Sequence, residues 1–319
     1  MLPIDFAAIA GLIIDDIVLP TGETRMSVPG GSGTHSVWGM RIWSESVGLI
    51  ASFGADCPAE ILAAFDEAGV GLHRAAANPE PTPRCWQVFE FNQHRTEIFR
   101  TSEADFYRLQ PLVTDIPVEW ARATGFHLLH EAKDIPAFAR HLRAGGVGCL
   151  LAEPPPTDFI PEKLDEFATF LPLVDVFSPN WEESAQLLGI DDPEAIVARF
   201  LEMGVPVVAL RMGEAGSLVA AGERRWRIPG VSVSVVDVTG AGNSYCGGFL
   251  VGYAQTGDPY VGGLYGAVSA SFTIEQFGLP VIGGEGVIQG VIQGVVQAQQ
   301  RLLRLEQRVR YWVLDISLR

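Results

Sequence analysis

Positive charge is scarce in this chain of 319 residues, which carries 22 lysines and arginines against 38 aspartates and glutamates. The formal net charge of −16 gives a surface that repels nucleic-acid phosphates and the anionic faces of membranes. We therefore expect neither nucleic acid nor a membrane as a partner. The small basic cluster of Arg224, Arg225 and Arg227 is interpreted as a solvated face of a helix or strand.

Cysteine and long apolar runs are scarce as well. The four cysteines lie far apart, without the spacing of a metal site, at Cys57, Cys85, Cys149 and Cys246. This favours free thiols in a reducing compartment, so we expect a cytoplasmic protein. No stretch reaches the roughly 18 uncharged apolar residues of a membrane span. The apolar segment Phe6–Leu19 is broken by Asp15 and Asp16, which predicts a buried strand and not a signal peptide.

Two common phosphate-binding motifs are missing. No Gly-x-x-x-x-Gly-Lys-Ser/Thr P-loop occurs in the chain. Neither Gly31-Ser-Gly33 nor Gly240-Ala-Gly242 continues into the Gly-x-Gly-x-x-Gly fingerprint of dinucleotide-binding proteins. The sequence thus argues against a P-loop enzyme and against an NAD-binding one.

Short apolar runs alternate with longer amphipathic ones, which is typical of a parallel sheet covered by helices. The predicted strands are Phe6–Ile14, Val47–Phe53, Gly125–Leu129, Cys149–Ala152, Val174–Phe177, Val207–Arg211 and Ser217–Ala220. The predicted helices are Ala59–Ala68, Ile135–Ala144, Pro161–Phe170, Trp181–Leu188 and Ala195–Met203. An apolar stripe that repeats every four residues from Val287 predicts a helical C-terminal region over residues 285–312.

One region departs from this alternation. From Arg84 to Phe99 a period-two pattern around Asn92-Gln93 predicts an antiparallel hairpin, and the segment Val18–Val28 is expected to supply partner strands. We expect these strands, within residues 14–28 and 84–100, to form a small lid over the strand ends, where open α/β sheets bind ligands.

The segment Asp237–Asn243 carries the strongest chemical signal. It follows the strand-like Val231–Val236 and places the small residues Gly240, Ala241 and Gly242 before a helix-compatible run. The unpaired N–H groups and the positive dipole end of such a helix start bind an anion. The spacing also allows an ordinary tight turn into a packed helix.

The segment resembles the second signature of the PfkB, or ribokinase-like, carbohydrate kinase family, normally Asp-Thr-x-Gly-Ala-Gly-Asp, except at Asn243. Further resemblances follow in the expected order: Gly30-Gly31 with a small-residue run to Ser36, Ser178-Pro-Asn-Trp-Glu-Glu, Arg211-Met-Gly-Glu-Ala-Gly-Ser and Gly266–Gly278. The resemblance covers Ile4 to Pro280 and is nearest to a fungal branch that also carries Asn in place of the final Asp. It implies one domain over residues 1–319, with a three-layer α/β/α architecture, a mostly parallel sheet and a small β lid.

The resemblance also implies ATP and magnesium as cofactors and a small molecule as substrate. Gly240, Ala241 and Gly242 would form the anion hole for the transferring phosphoryl group, and Glu183 would organise magnesium through water. The implied cofactor-binding residues are Asn180, Glu183, Arg211, Gly213, Gly216, Asp237, Thr239, Ala267 and Ser271. The implied substrate-binding residues are Asp15, Asp16, Gly30, Gly31 and His35.

Two departures from the family pattern bear on function. The amide of Asn243, at the position of the general base, cannot accept a proton at neutral pH. Loss of a general base costs about 10²–10⁴ in rate, but phosphoryl transfer depends mostly on positioning and charge stabilisation. His35 replaces the Asn of the first signature, and a minor hypothesis gives its imidazole the role of the lost base. His127-Leu-Leu-His130 is interpreted as strand-end packing and not as a metal site.

Three functions fit this sequence. The leading one is an ATP- and magnesium-dependent kinase that phosphorylates a hydroxyl of a sugar, nucleoside or related small molecule. A second is a nucleotide-binding pseudokinase with a regulatory or scaffold role, and a third is an ATP-dependent dehydratase on the same fold. The aromatic residues Trp86, Phe89 and Phe91 would either contact the acceptor or cover the hairpin or a homodimer interface formed by the lid strands.

Overall fold

The computed structural model describes residues 2–75, 81–91, 95–102, 106, 109–280 and 296–309. Within these residues, nine strands form a large sheet in the order β13-β12-β11-β10-β9-β8-β1-β4-β5. Its parallel strands are β1 (Phe6–Gly11), β4 (Val47–Ser52), β5 (Val70–Arg74), β8 (Gly125–Leu128), β9 (Cys149–Ala152), β10 (Val176–Phe177) and β11 (Val207–Arg211). Two strands at one edge are antiparallel, namely β12 (Ser217–Ala221) and β13 (Arg224–Ile228).

Helices cover both faces of this sheet. They are α1 (Ser32–Arg41), α2 (Ala59–Ala68), α3 (Ile135–Gly145), α4 (Leu164–Phe170), α5 (Trp181–Leu188), α6 (Pro193–Glu202), α7 (Ala241–Thr256), α8 (Pro259–Thr273) and a last helix over residues 296–309. Alternate strand residues enter two separate cores. Leu151 belongs to the core that contains residues of α1, α2, α7 and α8, and Leu150 to the core that contains residues of α3, α4 and α6. The three-layer α/β/α architecture expected from the sequence is therefore confirmed.

A smaller sheet has the order β3-β2-β6-β7. Its strands are β2 (Ile13–Val18), β3 (Thr24–Gly30), β6 (Arg84–Phe89) and β7 (Arg95–Phe99). The pairs β2–β3 and β6–β7 are antiparallel, whereas the central pair β2–β6 is parallel. The predicted turn at Asn92-Gln93 lies outside the described residues, as do residues 285–295 and 310–312 of the predicted C-terminal helical region.

The structure corrects two predicted strands. The run Phe6–Ile14 is not one strand, because β1 ends at Gly11 in the large sheet and β2 begins at Ile13 in the small one. Both halves are buried, so their apolar pattern is continuous and conceals the break at Leu12. The segment Val231–Val236 is irregular and mostly exposed, and it pairs with no strand among the described residues.

Helices α1 and α7 approach unusually closely. A Cβ atom on Gly39 would lie 2.2 Å from the carbonyl oxygen of Ser244, and one on Gly247 would lie 2.0 Å from that of Ser36. Both contacts are with backbone, so a side chain at either position forces the helices apart. These contacts place the last turn of α1 against the first turn of α7 and the middle of α1 against the second turn of α7. Among the described residues, no helix is long and apolar enough to cross a membrane.

Gly247→Ala is expected to lower the free energy of unfolding by about 1–3 kcal/mol, because the added methyl overpacks a backbone contact. Urea denaturation would measure this change. Gly71→Ala is the matched control, since the nearest heavy atom to its new Cβ would lie at an ordinary 3.5 Å. Equal stability of the two variants would contradict the close helix contact.

Candidate active site

A cleft of about 450 Å³ lies between the small sheet and the carboxyl ends of the central strands. It brings together residues that are far apart in the chain. The sequence-predicted residues that line it are Asp15, Gly31, His35, Asn180, Glu183, Arg211, Thr239, Gly240, Gly242 and Asn243. The two glycine motifs that carry the family resemblance, near residue 31 and near residue 240, therefore face the same cleft.

The turn before α7 is held by its own aspartate. Asp237 is 4% exposed, and its Oδ1 accepts a hydrogen bond of 2.9 Å from the backbone N–H of Thr239. Gly240 has φ of 73°, a left-handed conformation that disfavours other residues, and it is the N-cap of the 16-residue helix α7. The positive end of the α7 dipole is thereby directed at the cleft.

Asn243, in the first turn of α7, is bound to a carboxylate that the sequence did not single out. Its Nδ2 donates a hydrogen bond of 3.1 Å to Oε2 of Glu153. Glu153 follows β9 directly and is 8% exposed. The sequence does show a carboxylate at the end of a predicted buried strand, and this could have marked Glu153 as a site residue. It gives no sign that Glu153 contacts α7, which lies 90 residues later.

Glu153 is also paired with Arg211, the last residue of β11. Nη2 of Arg211 lies 2.7 Å from Oε1 of Glu153. Burial by itself raises the pKa of Glu153, but the guanidinium of Arg211 and the imidazole of His127 outweigh it and hold the pKa at about 2. Burial lowers the pKa of Arg211, and the charge of Glu153 more than reverses this effect. The two side chains are therefore a charged pair at neutral pH.

His127 completes this buried cluster. Its Nε2 lies 3.3 Å from Oε2 of Glu153, and its Nδ1 lies 2.8 Å from the hydroxyl oxygen of Ser36. Burial lowers the pKa of His127, so we assign a neutral ring that accepts from Ser36 at Nδ1 and carries its proton on Nε2. This N–H lies near Glu153 without the geometry of a hydrogen bond. Donor atoms of His127, Glu153 and Cys246 lie within 4.8 Å of one another. Arg211 already neutralises the carboxylate there, and we therefore assign no metal to this group.

His130 lies in separate surroundings. Its Nδ1 accepts from the backbone N–H of Glu131, its Nε2 is 3.3 Å from the carbonyl oxygen of Pro111, and its ring packs against Phe138 with centroids 4.7 Å apart. Burial lowers its pKa. These contacts agree with the packing interpretation of the His127–His130 pair.

His35 lies directly against the turn before α7. Its ring atoms lie 2.0–2.3 Å from where a Cβ of Gly240 would be, so any side chain at position 240 would collide with the imidazole. His35 is 3% exposed and lines the cleft. The structure thus places His35 within contact of the predicted anion hole, which the sequence alone did not establish.

The neighbours Asp15 and Asp16 have different surroundings, because successive residues of a strand point to opposite faces. Asp15 lines the cleft, and its carboxylate occupies the space that a Cβ on Gly30 would fill. Asp16 lies outside the cleft lining and is fully buried by Arg84, Trp86 and the backbone N–H of Ser27, which all donate to it. Arg84 holds the pKa of Asp16 below its usual value despite burial. Asp16 therefore joins strands of the small sheet.

Gln87, which the sequence analysis missed, bridges two carboxylates at the same end of the cleft. Its Nε2 donates to Oδ1 of Asp15 at 3.3 Å and to Oε1 of Glu97 at 2.9 Å. The residue is 3% exposed, and its Oε1 has no hydrogen-bond partner among the described residues. An unpaired buried acceptor costs about 1–3 kcal/mol, so this end of the cleft is suited to a hydrogen-bond donor.

Asn180 and Glu183 lie at the start of α5. Oδ1 of Asn180 caps the helix by accepting from the N–H of Glu182 at 2.8 Å, and Glu183 lines the cleft from the first turn of the helix. Asn180 also forms a parallel bridge with Arg211, so this helix start and the end of β11 are held together.

Other predicted cofactor-binding residues lie outside the cleft lining. A Cβ on Gly216 would lie 2.0 Å from the carbonyl oxygen of Ile228, so this glycine is required by backbone packing. Ala267 belongs to the core, and the hydroxyl of Ser271 donates to the Val268 carbonyl. The remaining residues outside the lining are Gly213 and Asp237 from the cofactor-binding set, Asp16 and Gly30 from the substrate-binding set, and Ala241 from the anion hole.

The chain is similar in sequence and in structure to known proteins. Residues 4–280 match the family described as pfkB family carbohydrate kinase. An uncharacterized protein of Schizosaccharomyces pombe is 28% identical over 87% of this chain and 86% of its own length. A cytidine kinase of Thermococcus kodakarensis is 25% identical over 79% of this chain and 89% of its own. The structure is also similar to a putative ribokinase II of E. coli in complex with ATP and Mg²⁺, with a TM-score of 0.74, 18% identity and coverage of 94% and 100%.

Asn243→Asp is expected to destabilise the fold by about 1–3 kcal/mol, because a donor 3.1 Å from Glu153 becomes a second carboxylate. The repulsion raises the pKa of the new carboxyl group in the folded state, so the destabilisation is present above that pKa and fades as the pH is lowered. Urea denaturation at about pH 8 and about pH 5 would measure it. 

The double variant Asn243→Asp/Glu153→Gln restores a donor opposite the new carboxylate and is expected to recover stability relative to Glu153→Gln alone. If Asn243→Asp is as stable as the wild type at both pH values, the contact between Asn243 and Glu153 is wrong.

Proposed function

Because the chain belongs to the pfkB family of carbohydrate kinases, we propose that it is an ATP- and magnesium-dependent phosphotransferase acting on a hydroxyl of a sugar, nucleoside or related small molecule. The observation that carries the proposal is the cleft itself. One end has the helix start after Gly240, and the other end has the hydrogen-bonding groups of the small sheet. Family membership supports a kinase-like phosphotransferase, and the remaining details are our own assignment.

The first end of the cleft fits phosphate. Gly240 and Gly242 carry no side chains of their own, and the imidazole of His35 and the guanidinium of Arg211 lie against them. The α7 dipole favours negative charge at this helix start. Glu183 offers a carboxylate in the same cleft, with the oxygen chemistry that magnesium prefers. We assign Glu183 to hold magnesium through water, with Asn180 shaping the helix start. Magnesium, when bound, would neutralise charge on the phosphate oxygens.

The second end fits a hydroxylated acceptor. The buried carboxylate of Asp15 and the unpaired Oε1 of Gln87 are acceptors that hydroxyl groups can satisfy. Phe99 and Ile13 supply apolar surface beside them. We therefore assign Asp15 to orient the acceptor, with Gly31 providing close backbone approach.

Proton removal cannot fall to Asn243, whose amide is a donor to Glu153. Glu153 accepts from Arg211 as well, so it is a poor proton acceptor. We assign this step to His35, because its ring contacts Gly240 at the phosphate end of the cleft and imidazole is the commonest general base.

A second function has its own supporting observation. The bond between Asn243 and Glu153 is compatible with a nucleotide-binding pseudokinase, in which the turn binds ATP but no proton is removed. ATP-dependent dehydration remains a third outcome, in which the products are ADP and a dehydrated substrate. Homodimerisation through the lid strands also stays a proposal, supported by the exposed edge strand β3.

Titration with ATP and magnesium, together with ADP release across a panel of sugars, nucleosides and polyols, tests the three functions. A kinase gives acceptor-stimulated ADP release and a phosphorylated product. Binding without release supports the pseudokinase, and ADP with a dehydrated product supports the dehydratase. Absence of nucleotide binding would overturn the assignment of the cleft.

Asp15→Asn is expected to lower kcat/KM for the acceptor about 10- to 100-fold while leaving ATP affinity unchanged, because a hydrogen bond to a charged group is worth about 1.5–3 kcal/mol. Glu90→Gln is the matched control, since Glu90 is exposed at the end of β6 and outside the cleft. A loss of ATP affinity in Asp15→Asn would contradict the division of the cleft into two ends.

His35→Asn is expected to lower kcat by about 10²–10⁴ with little change in nucleotide affinity, the usual cost of removing a general base. The control is His141→Asn on the exposed face of α3. Steady-state kinetics would measure both variants, and an unchanged kcat in His35→Asn would exclude His35 as the base.

A further inference from the structure

Arg211 lies across the start of α7. Its Nη1 lies 2.1 Å from where a Cβ on Gly242 would be, so glycine is needed there for the guanidinium to rest on the turn. The backbone of Arg211 is fixed as the last residue of β11, where its N–H donates to the carbonyl of Pro179. The guanidinium is therefore held beside the N–H groups that would bind phosphate.

The guanidinium is only partly used by the protein. It carries five N–H donors in a planar fork, and Nη2 is engaged with Oε1 of Glu153. Nε is buried and has no hydrogen-bond partner among the described residues. The side chain is 14% exposed and lines the cleft. A buried cation with unused donors, next to a helix start, is arranged to meet an anion.

We propose that Arg211 is a catalytic residue that contacts the phosphoryl group during its transfer, an inference that rests on the proposed function. A guanidinium fork matches two phosphate oxygens in a way that an ammonium group does not. Glu153 acts as a positioning residue, because its ion pair fixes the rotation of the fork. Asn243 and His127 hold Glu153 in turn through its other oxygen.

The course of phosphoryl transfer explains why the Arg211 guanidinium suits a site with Asn243. The acceptor oxygen forms a bond to the γ-phosphorus of ATP as the bond to the bridging oxygen breaks. ADP leaves with that electron pair, and the hydroxyl proton passes to His35. The transition state is loose, with charge spread over three equatorial oxygens, so fixed positive charge lowers the barrier more than proton removal does. Arg211 adds this charge in a site where Asn243, and not a carboxylate, follows the glycines of the turn.

The test compares Glu153→Gln with Arg211→Met/Glu153→Gln. The double variant removes both charges together. Arg211→Met alone would leave the buried carboxylate of Glu153 unpaired. Thermal unfolding checks that both variants fold. Arg143→Met is the control, because Arg143 pairs with Asp175 outside the cleft.

The first readout is binding of MgADP with and without aluminium fluoride, a mimic of the transferring phosphoryl group. We expect the wild type and Arg143→Met to bind the mimic-loaded complex more tightly than ADP alone. Glu153→Gln should keep a smaller part of this difference, because its Arg211 fork keeps its charge but loses the carboxylate that positions it. Arg211→Met/Glu153→Gln should bind MgADP no more tightly with aluminium fluoride than without it, while its affinity for ADP alone changes less than about threefold. The second readout is acceptor-stimulated ADP release, which should fall by about 10³ on loss of Arg211, the lower range for an arginine finger.

Two failures are distinguishable. If the wild type binds neither ADP nor its aluminium fluoride complex, the proposed function fails and the role of Arg211 fails with it. If the wild type binds both, and the double variant retains the tighter binding and the turnover of Glu153→Gln, then the proposed function stands and only the role of Arg211 is overturned.

Discussion

The buried pair of Glu153 and Arg211 connects the parts of the cleft to one another. Glu153 follows β9 and Arg211 ends β11, and their contact of 2.7 Å spans the carboxyl edge of the sheet. Through Asn243 the pair reaches α7, and through His127 and its bond to Ser36 it reaches α1. Residues of β8, β11 and α7 thus meet the carboxylate that follows β9, and α1 is joined to them through His127. The geometry of the turn before α7 therefore depends on the charge of Glu153.

Such a pair contributes more to position than to stability. Removing two buried charges from water costs several kcal/mol, and replacing a buried pair with neutral side chains is often harmless to the fold. Loss of one partner is a different matter, because the remaining charge is then uncompensated. The pair therefore disfavours a carboxylate at position 243, because that carboxylate would face Glu153. Asn243 is matched to its neighbour, whatever reaction the cleft performs.

Local pattern predicted much of the fold, because strand and helix periodicity are properties of neighbouring residues. It predicted both strands of the hairpin after Arg84 and the turn before α7, but it joined β1 to β2, since both are buried and the break at Leu12 leaves no polar mark. It could not separate Asp15 from Asp16, which required knowing the face that each presents. It missed Glu153 and Gln87 because their partners lie 90 and 72 residues away, and no local signal encodes such contacts.

The small sheet is joined to the large sheet and to α1 by two very short linkers. Only Leu12 separates β1 from β2, and only Gly31 separates β3 from α1. The linkers touch, because a Cβ on Gly31 would lie 2.8 Å from the carbonyl oxygen of Gly11. Because the two one-residue linkers lie side by side, any opening of the small sheet at these linkers would be a rotation about the line that joins them. Such a rotation would move Asp15, on β2, relative to His35, on α1, and so change the width of the cleft that both residues line.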